Sequence, residues 1–413
     1  MTGDIGAAGH IPHVEYVAQL SRHLAAIPAS PSFASSRRGA VAIVLRLVVP
    51  QDQEYPALDT SWMLQWSPAR QVQELERFLG HPAFATARAQ ILFIQRAQYP
   101  GDPWSGHIGF PGGKREPQDG SDQVTAERET MEELGLRLDD QEGFVRLGRL
   151  DDAQAYSVRK GVIMVVAPHV YLQVGRESPR VTLSAEVASV HWIDLAHILA
   201  RIDCPPKPLL RPWSYPVFAT DPVTRFFPTP GSIGSLWVRL LAGVVGGMHY
   251  TALPLPFTSE DSVVRAREAA DGSADTRILP TKFVTERELL LWGLSLNMVS
   301  NLVDLSLPIK PATSTGYVSV ASPWPQLDRW WWADINSLTN IAHAIWWRPS
   351  RRKPYSFSVD ISTGGPTDFF VAYFRLLGVL LPLSCAAKAT LAYLAGKQAL
   401  QYVMNIFVTV EGY

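Results

Sequence analysis

A short segment, residues 112–136, restricts the local structure more than any other part of the chain. It opens with two glycines, passes through a polar turn and reaches Ser121 and Asp122, either of which suits a helix N-terminus. Gly135 is the residue type that best tolerates the left-handed conformation just past a helix end. The segment therefore predicts a tight glycine turn followed by a helix over about residues 122–134.

Three carboxylates and one arginine fall within six positions of this helix. Helical periodicity places the carboxylates on one face and the apolar residues on an opposite, packing face, with Glu129, Glu132 and Glu133 facing away from Val124, Met131 and Leu134. Carboxylates this close repel one another, and a hard divalent cation relieves the repulsion. Because the donors are oxygens, with no cysteine or histidine nearby, the pattern favours Mg²⁺ or Mn²⁺.

Arg128 lies next to Glu129 and one turn before Glu132. A guanidinium can hold a carboxylate in one rotamer through a fork-shaped ion pair, so Arg128 is expected to orient the acidic side chains. The alternative interpretation is a solvated helix surface with adjacent charges. The glycine turn before the helix and the glycine after it favour the metal site.

The segment resembles the Nudix box, in which a glycine and, six positions later, a glutamate lead to Arg-Glu-aliphatic-X-Glu-Glu-X-Gly-aliphatic. The second half matches directly, at Arg128, Glu129, Glu132, Glu133, Gly135 and Leu136. In the first half, counted from Gly113, Asp119 takes the place of the glutamate, and eight residues instead of seven separate it from Arg128. The resemblance implies an α+β fold, the Nudix α/β/α sandwich with a mixed β-sheet, and metal-dependent hydrolysis of a diphosphate linkage.

The longer spacing is similar to that of the coenzyme A diphosphatase branch of this family. The branch has a Phe-Pro-Gly-Gly-Lys-Arg sequence before the helix, which this chain carries over residues 110–115, and upstream residues that match at Leu92, Arg96, Gly106 and Ile108. This likeness implies cleavage of coenzyme A or an acyl-coenzyme A to a phosphopantetheine and an adenosine bisphosphate. Two alternatives stay open: the same chemistry on ADP-ribose, a sugar nucleotide or a dinucleotide polyphosphate, and a non-catalytic Nudix-fold scaffold.

Several residues around the box are candidates for substrate binding: Arg96, His107, Gly112, Gly113, Lys114 and Arg115. A pocket for the extra 3′-phosphate of coenzyme A would draw on the three basic residues Arg96, Lys114 and Arg115. His107 is a candidate phosphate contact, or a solvated loop histidine. Glu186 lies where some Nudix enzymes keep a catalytic base, with a strand-edge carboxylate as the alternative.

Composition limits the partners and the compartment. A formal net charge of -1 provides no electrostatic attraction for nucleic acid. Cys204 and Cys385 lie far apart and form no CXXC unit, so we expect neither a disulfide framework nor a zinc site, and a reducing compartment such as the cytoplasm. The expected partner is a small nucleoside diphosphate derivative, and the sequence leaves the oligomeric state open.

The chain is expected to contain an N-terminal mobile arm (1–38), a Nudix domain (39–310) and a mainly helical, Trp-rich C-terminal extension (311–413). Within the domain, apolar runs predict strands at 40–49, 89–96, 147–150, 161–173 and 186–195. Val72, Leu75, Phe78 and Leu79 keep helical spacing. Residues 257–277 are interpreted as an inserted loop and residues 286–305 as a helix.

The C-terminal extension combines tryptophans, a basic cluster and an apolar stretch over residues 369–396. The tryptophans and basic residues are Trp324, Trp330, Trp331, Trp332, Trp346, Trp347, Arg348, Arg351, Arg352 and Lys353. The favoured interpretation is a helix packed into an extended core, and the alternative is contact with a membrane surface through 324–396, giving peripheral membrane association. A spanning helix is less favoured, because Arg375 and Lys388 bracket only twelve uncharged residues and Pro382 would kink the helix.

Overall fold

The structure is a computed structural model that describes residues 12–26, 37–50, 53–60, 67–99, 104–157, 161–176, 180–202, 217–220, 248–257, 262–264, 267–268, 274–275, 288–306, 326–327, 332–339, 341 and 369–410. The chain forms two compact units. The first comprises residues 1–155, 162–218 and 250–322, and the second comprises residues 156–161, 219–249 and 323–413. Cys204 and the predicted tryptophan and basic positions of the extension, apart from Trp332, lie outside the described residues.

Among the described residues, the helices are α1 (His13–Ala26), α2 (Pro68–Leu79), α3 (Asp122–Leu134), α4 (Leu195–Ile202), α5 (Gly293–Ser306) and α6 (Phe369–Val410). The strands are β1 (Arg38–Val48), β2 (Arg88–Arg96), β3 (Ile108–Gly109), β4 (Gly112–Lys114), β5 (Phe144–Arg149), β6 (Ala153–Ser157), β7 (Gly161–Gln173), β8 (Val187–Asp194), β9 (Val217–Thr220), β10 (Met248–Thr251), β11 (Leu253–Pro256), β12 (Ser262–Val264), β13 (Arg267–Glu268), β14 (Ala274–Asp275), β15 (Glu288–Leu291) and β16 (Gln326–Leu327). The predicted strands at 40–49, 89–96, 161–173 and 186–195 and the predicted α2 are confirmed.

The main sheet is mixed and contains nine strands. Its path runs β12-β8-β2-β1-β7-β5, with β3 paired to β2, β4 to β1 and β6 to β7. The central strand β1 is parallel to β7 and antiparallel to β2 and β4. The apolar, β-branched sequence of β1 suits a strand with covered faces, and most of its side chains are buried. This arrangement confirms the predicted α+β fold.

Helix α3 covers one face of this sheet. The core beneath it joins side chains from β1, β2, β7 and β8 with Ala126 and Leu134 of the helix. Residues that follow the helix, Leu136 and Leu138, extend the same core. The box helix therefore packs on the sheet, in contact with β1 and with β4 of the glycine turn.

The N-terminal segment is not a mobile arm throughout. Helix α1 buries Val17 and Leu20 and packs against α2 and α5. His13 Nδ1 accepts a hydrogen bond from the backbone N–H of Ala89 at 3.2 Å, which ties the start of α1 to β2. The packing of α1 was not predicted, because a helix whose partners lie far away in sequence has no local signature of being packed.

Two further segments differ from the predictions. Residues 288–291 form strand β15, which pairs with β11, and the helix starts only at Gly293, whose φ of 64° is left-handed. The predicted helix over 286–305 therefore starts too early. The side chains of β15 alternate in burial, and the strand pairs with β11 instead of extending the helix. The predicted inserted loop includes β12, which pairs with β8 at the edge of the main sheet.

In the second unit, helix α6 extends over 42 residues and contains Pro382. The 23-residue stretch Val379–Gln401 has the length and composition to cross a membrane, and none of it is buried. Its exposed large apolar side chains are Val379, Leu383, Leu391, Tyr393, Leu394 and Leu400. Among the described residues this exposure differs from the predicted packing of the apolar stretch into an extended core.

Candidate active site

The box helix begins and ends as the sequence predicts. Ser121 is the N-cap, and its hydroxyl accepts a hydrogen bond from the N–H of Val124 at 3.2 Å. Gly135 ends α3 with a φ of 69°, and its N–H donates to the carbonyl of Met131 at 2.9 Å. These caps fix which residues lie over the glycine turn.

The packing face of α3 differs from the predicted one. Val124 and Met131 are exposed, whereas the buried residues are Thr125, Ala126, Thr130, Glu133 and Leu134. Small and β-branched side chains allow α3 to approach β1 closely, and this close approach outweighs the simple preference for burying the largest apolar residues. Only Leu134 of the predicted apolar set packs inward.

Arg128 is the centre of an ion-pair network. Its Nη2 donates to Glu129 Oε1 at 3.0 Å, and its Nη1 donates to Glu132 Oε2 at 2.9 Å. The same Nη2 also donates to the carbonyl of Lys114 at 3.2 Å, which links the helix to the end of β4. The predicted orienting role of Arg128 agrees with these contacts.

The strongest partner of Arg128 is Asp119, which the sequence marked only as a departure from the box spacing. Arg128 Nε and Nη2 bind the two oxygens of Asp119, each at 3.0 Å. The carboxylate also accepts hydrogen bonds at 2.9 Å from the hydroxyl of Thr125 and from the N–H of Glu116. The pairing with Arg128 lowers the pKa of this buried carboxyl group to about 2. The longer loop thus places Asp119, whose side chain is shorter than that of the glutamate in the Nudix box, against Arg128.

The glycine turn lies directly against two of the predicted ligands. Gly112 donates its N–H to Glu133 Oε2 at 2.9 Å. A Cβ atom on Gly113 would lie 2.5 Å from the Glu129 carboxylate, so only glycine leaves this carboxylate in place. Both glycines therefore admit acidic side chains close to the backbone, and their role in substrate binding stays a prediction.

The pKa values of Glu129 and Glu133 are both raised. Glu133 is 3% exposed, and burial raises its pKa to about 8, with further contributions from Glu129 and Glu186. Burial also raises the pKa of Glu129, against the opposing effect of Arg128. Glu132 is exposed and is held by Arg128. Helical periodicity placed all three carboxylates on the helix face opposite the packing face, which implies exposure to solvent. This is wrong for Glu133, whose carboxylate turns inward to the N–H of Gly112.

Glu186 and Arg96 lie beside this pair. The carbonyl of Glu186 accepts the N–H of Ala97 at 2.7 Å, and its exposed carboxylate acts electrostatically on Glu129 and Glu133. Arg96 follows a register shift between β2 and β8, and its charge lowers the pKa of Glu133. A bulge of this kind is a common way to redirect a side chain at the end of a strand.

The remaining substrate-binding candidates divide into two groups. Lys114 is exposed at the end of β4, within reach of solvent. Arg115, in contrast, donates to the carbonyls of Asp119 and Gly120 and pairs with Asp122 at 3.3 Å, so it stabilises the box loop. The His107 ring lies 5.0 Å from the Trp292 ring and 5.6 Å from the Trp104 ring, so it packs against aromatic rings, and its contact with a substrate phosphate stays a prediction.

The donor set suits a hard cation without forming a complete cradle. In the described part of the chain, no group of three or more His, Cys, Asp or Glu side chains is arranged to hold a metal ion. In addition to burial, the charge of Glu186 nonetheless raises the pKa of Glu129 and of Glu133, and a divalent cation would relieve this repulsion. The metal-ligand role of Glu129, Glu132 and Glu133 stays a prediction.

Comparison with known proteins shows what part of this chain resembles. The Nudix domain family matches residues 80–219, which include the box, Arg96 and Glu186. An uncharacterized protein of Schizosaccharomyces pombe is 36% identical over 115 residues, and the aligned segment covers 28% of this chain and 34% of that protein. The chain therefore spans about one third of the relative's length. The matched segment contains the box helix α3 and the strands from β2 to β8, and this part of the chain is similar to a Nudix domain.

Solved structures of Nudix proteins align with part of this chain at low sequence identity. A MutT/nudix family protein from Enterococcus faecalis is 18% identical, covering 40% of this chain and 47% of its own, with a TM-score of 0.23. The Nudix domain of Shewanella oneidensis NrtR, complexed with ADP ribose, is 17% identical, covering 41% and 79%, with a TM-score of 0.24. An Ap4A hydrolase from C. elegans is 17% identical, covering 40% and 84%, with a TM-score of 0.24.

Proposed function

We propose that this protein is a metal-dependent diphosphatase that hydrolyses the diphosphate linkage of coenzyme A or an acyl-coenzyme A. The observation that carries the proposal is the network joining Asp119, Arg128 and Glu129 beside the buried carboxylate of Glu133. Acidic groups with raised pKa values at the surface of a rigid sheet are typical of catalytic sites. The Nudix match over residues 80–219 supports the same reaction class.

The chain's own residues have distinct roles in this proposal. Arg128 holds Glu129 and Glu132 in fixed rotamers, and the N–H of Gly112 holds Glu133. Glu129, Glu132 and Glu133 would bind Mg²⁺ or Mn²⁺, which supplies neutralisation of phosphate charge and a lowered pKa of bound water. Exposed Glu186 is the candidate general base, because it lies beside this cluster and can receive a proton from water. Arg96 and Lys114 provide positive charge for substrate phosphates.

A second group of substrates has the same diphosphate chemistry: ADP-ribose, sugar nucleotides and dinucleotide polyphosphates. The 3′-phosphate of coenzyme A distinguishes the two groups, and Arg115 is already engaged by Asp122 and the box loop. This leaves Arg96 and Lys114 to bind that phosphate. Weak discrimination by these two residues would favour the alternative.

The deciding experiment incubates purified full-length protein and Mg²⁺ with coenzyme A, dephospho-coenzyme A, ADP-ribose and a dinucleotide polyphosphate, followed by product identification by mass. We expect phosphopantetheine and adenosine 3′,5′-bisphosphate from coenzyme A, at a higher kcat/KM than for dephospho-coenzyme A. Preference for ADP-ribose or the dinucleotide would replace the coenzyme A assignment. No turnover of any substrate would favour the non-catalytic scaffold.

We also propose that α6 associates peripherally with membranes. The compartment that we propose for the protein is a reducing intracellular one. The support is that Phe369–Val410 contains Arg375, Lys388 and Lys397 but no acidic residue, and that Val379–Gln401 is exposed. Sedimentation of full-length protein with anionic vesicles tests the proposal. Binding should fall when Leu391 and Leu394 are both changed to Ser, and equal binding by both proteins would contradict it.

A further inference from the structure

A buried histidine on the main sheet has no hydrogen-bond partner for its ring. His169 on β7 is 3% exposed, and among the described residues neither of its ring nitrogens has a partner. Ala167 and Tyr171, two positions before and after it, belong to the core beneath α3, so His169 lies on the same face of the sheet. Because buried polar groups are almost always hydrogen-bonded, both nitrogens indicate a partner that comes from solvent.

A β-bulge in β5 brings two arginines to this histidine. Arg146 lies opposite Tyr171 and Arg149 lies opposite His169, with a register shift between Arg146 and Gly148. Three residues apart in a regular strand, the two arginines would lie on opposite faces, and the bulge places both on the face of His169. Burial, and then the charges of Arg146 and Arg149, lower the pKa of His169 to about 3, so its ring is neutral at neutral pH.

The two aspartates of this cluster are already bound by arginines. Asp152 pairs with Arg38 at 3.1 Å and with Arg149 at 3.6 Å. Asp122, the first residue of α3, pairs with Arg38 and, at 3.3 Å, with Arg115. These contacts leave neither carboxylate as a dedicated partner for the histidine ring.

Arg146 differs from the other arginines of the cluster. Among the described residues it forms no ion pair, and its buried Nε has no hydrogen-bond partner. The remaining carboxylate, Glu127, accepts hydrogen bonds from the Tyr171 hydroxyl at 3.0 Å and from Gln123 at 2.8 Å. Four guanidinium groups thus face three carboxylates, which leaves one positive charge in excess. A water molecule would bind the open nitrogens but leave this charge, whereas an anion meets both requirements.

We propose that Arg146, Arg149 and His169 bind one inorganic phosphate ion beside the first turn of α3. The guanidinium groups donate to phosphate oxygens, and a neutral imidazole offers one N–H donor and one acceptor nitrogen. Hydrogen phosphate matches this set, because it has acceptor oxygens and one O–H donor, whereas sulfate at neutral pH has acceptors alone. Asp122 precedes Glu129 by seven residues, so this place lies about 10 Å along α3 from the predicted metal ligands. The site goes beyond the proposed function and does not depend on it.

The test measures the binding of phosphate and of sulfate to the full-length protein by calorimetry. EDTA is present, so that the box carboxylates lack a cation and repel an anion. The proteins are wild type, Arg146→Gln, His169→Phe and the control Arg137→Gln, which removes an exposed arginine paired with Asp139. We expect the Kd of phosphate to rise about ten-fold in the two site variants and to be unchanged in the control. Wild type should bind sulfate several-fold more weakly than phosphate.

Three outcomes would overturn the proposal. Folded wild type that binds no phosphate would show that water alone occupies the cluster, and phosphate binding that both site variants retain would place the ion elsewhere. Equal affinities for sulfate and phosphate would contradict the role of a neutral His169. If Arg146→Gln is unfolded by circular dichroism, Arg146→Lys, which keeps the charge but lacks the Nε–H, takes its place and should bind several-fold more weakly. None of these results depends on whether the protein hydrolyses a diphosphate.

Discussion

Helices α3 and α6 differ in how far neighbouring residues bind their charged side chains and cover their apolar side chains. In α3 Arg128 binds the carboxylates of Asp119, Glu129 and Glu132, and the helix lies on a sheet. In α6 Lys388 and Ser384 bind Asp334 at 2.8 and 2.6 Å, while Val379–Gln401 is exposed. The comparison shows that residues of the same chain bind the charged side chains of α3. The described residues leave the apolar surface of α6 exposed and available to a membrane or a partner protein.

The largest expected effect tests the acidic site of α3. Glu133→Gln preserves the hydrogen bond from the Gly112 N–H, because an amide oxygen also accepts, but removes the charge. We expect kcat to fall by roughly 10²- to 10³-fold, comparable with the loss of one electrostatic group in other active sites. Glu132→Gln should also fold and lose activity, and Glu142→Gln, in an exposed turn, is the matched control. Near-normal turnover in both site variants would remove the catalytic assignment.

The next effect concerns Asp119 and the stability of α3. Asp119→Asn breaks a buried ion pair and should lower the free energy of unfolding by about 2–4 kcal/mol near pH 7. The folded-state pKa of about 2 lies below the unfolded value of about 4, so the carboxylate stabilises the fold above about pH 4 and loses this contribution as pH falls towards 2.

Urea unfolding at several pH values measures this difference. The gap between wild type and Asp119→Asn should be constant from pH 7 to about pH 5 and should shrink below about pH 4. Asp139→Asn, which removes an exposed carboxylate paired with Arg137, is the control and should change stability by less than about 1 kcal/mol. A gap independent of pH down to about 2.5 would show that Asp119 is not held by Arg128.

A smaller effect is expected from Thr125, whose buried hydroxyl donates to Asp119 at 2.9 Å. Thr125→Val keeps the shape and removes the donor, at a cost of about 1–2 kcal/mol. Because Asp119 positions Arg128, kcat should also fall several-fold with little change in KM. Thr125→Ser restores the hydroxyl, and failure of this variant to recover kcat would assign Thr125 to packing alone.

The smallest effect should come from α6. The Lys388–Asp334 pair has side chains 36% and 47% exposed, so Lys388→Met should cost less than about 1 kcal/mol by thermal unfolding. A double-mutant cycle with Asp334→Asn isolates the pair. A coupling as large as that lost in Asp119→Asn would end the contrast between the two helices.

The sequence predicts α3 well because its determinants are local. Ser121 and Gly135 act within one turn of the helix ends, and the spacing of Arg128 from Glu129 and Glu132 needs only helical geometry. The apolar runs of β1, β2, β7 and β8 likewise predict strands at nearly the observed positions. Local chemistry and periodicity thus predicted the box helix and these strands, whereas the fold class was predicted from the resemblance of the box to a known family.

Only the tertiary structure decided which faces meet. Met131 is exposed and Glu133 is buried because β1 and the glycine turn, distant in sequence, approach the other side of α3. The partnership of Asp119 with Arg128 depends on the path of the longer loop, and the packing of α1 and the exposure of α6 depend on which neighbours each helix finds. Periodicity marks a helix face, but the burial of that face is a property of the surfaces that close over it.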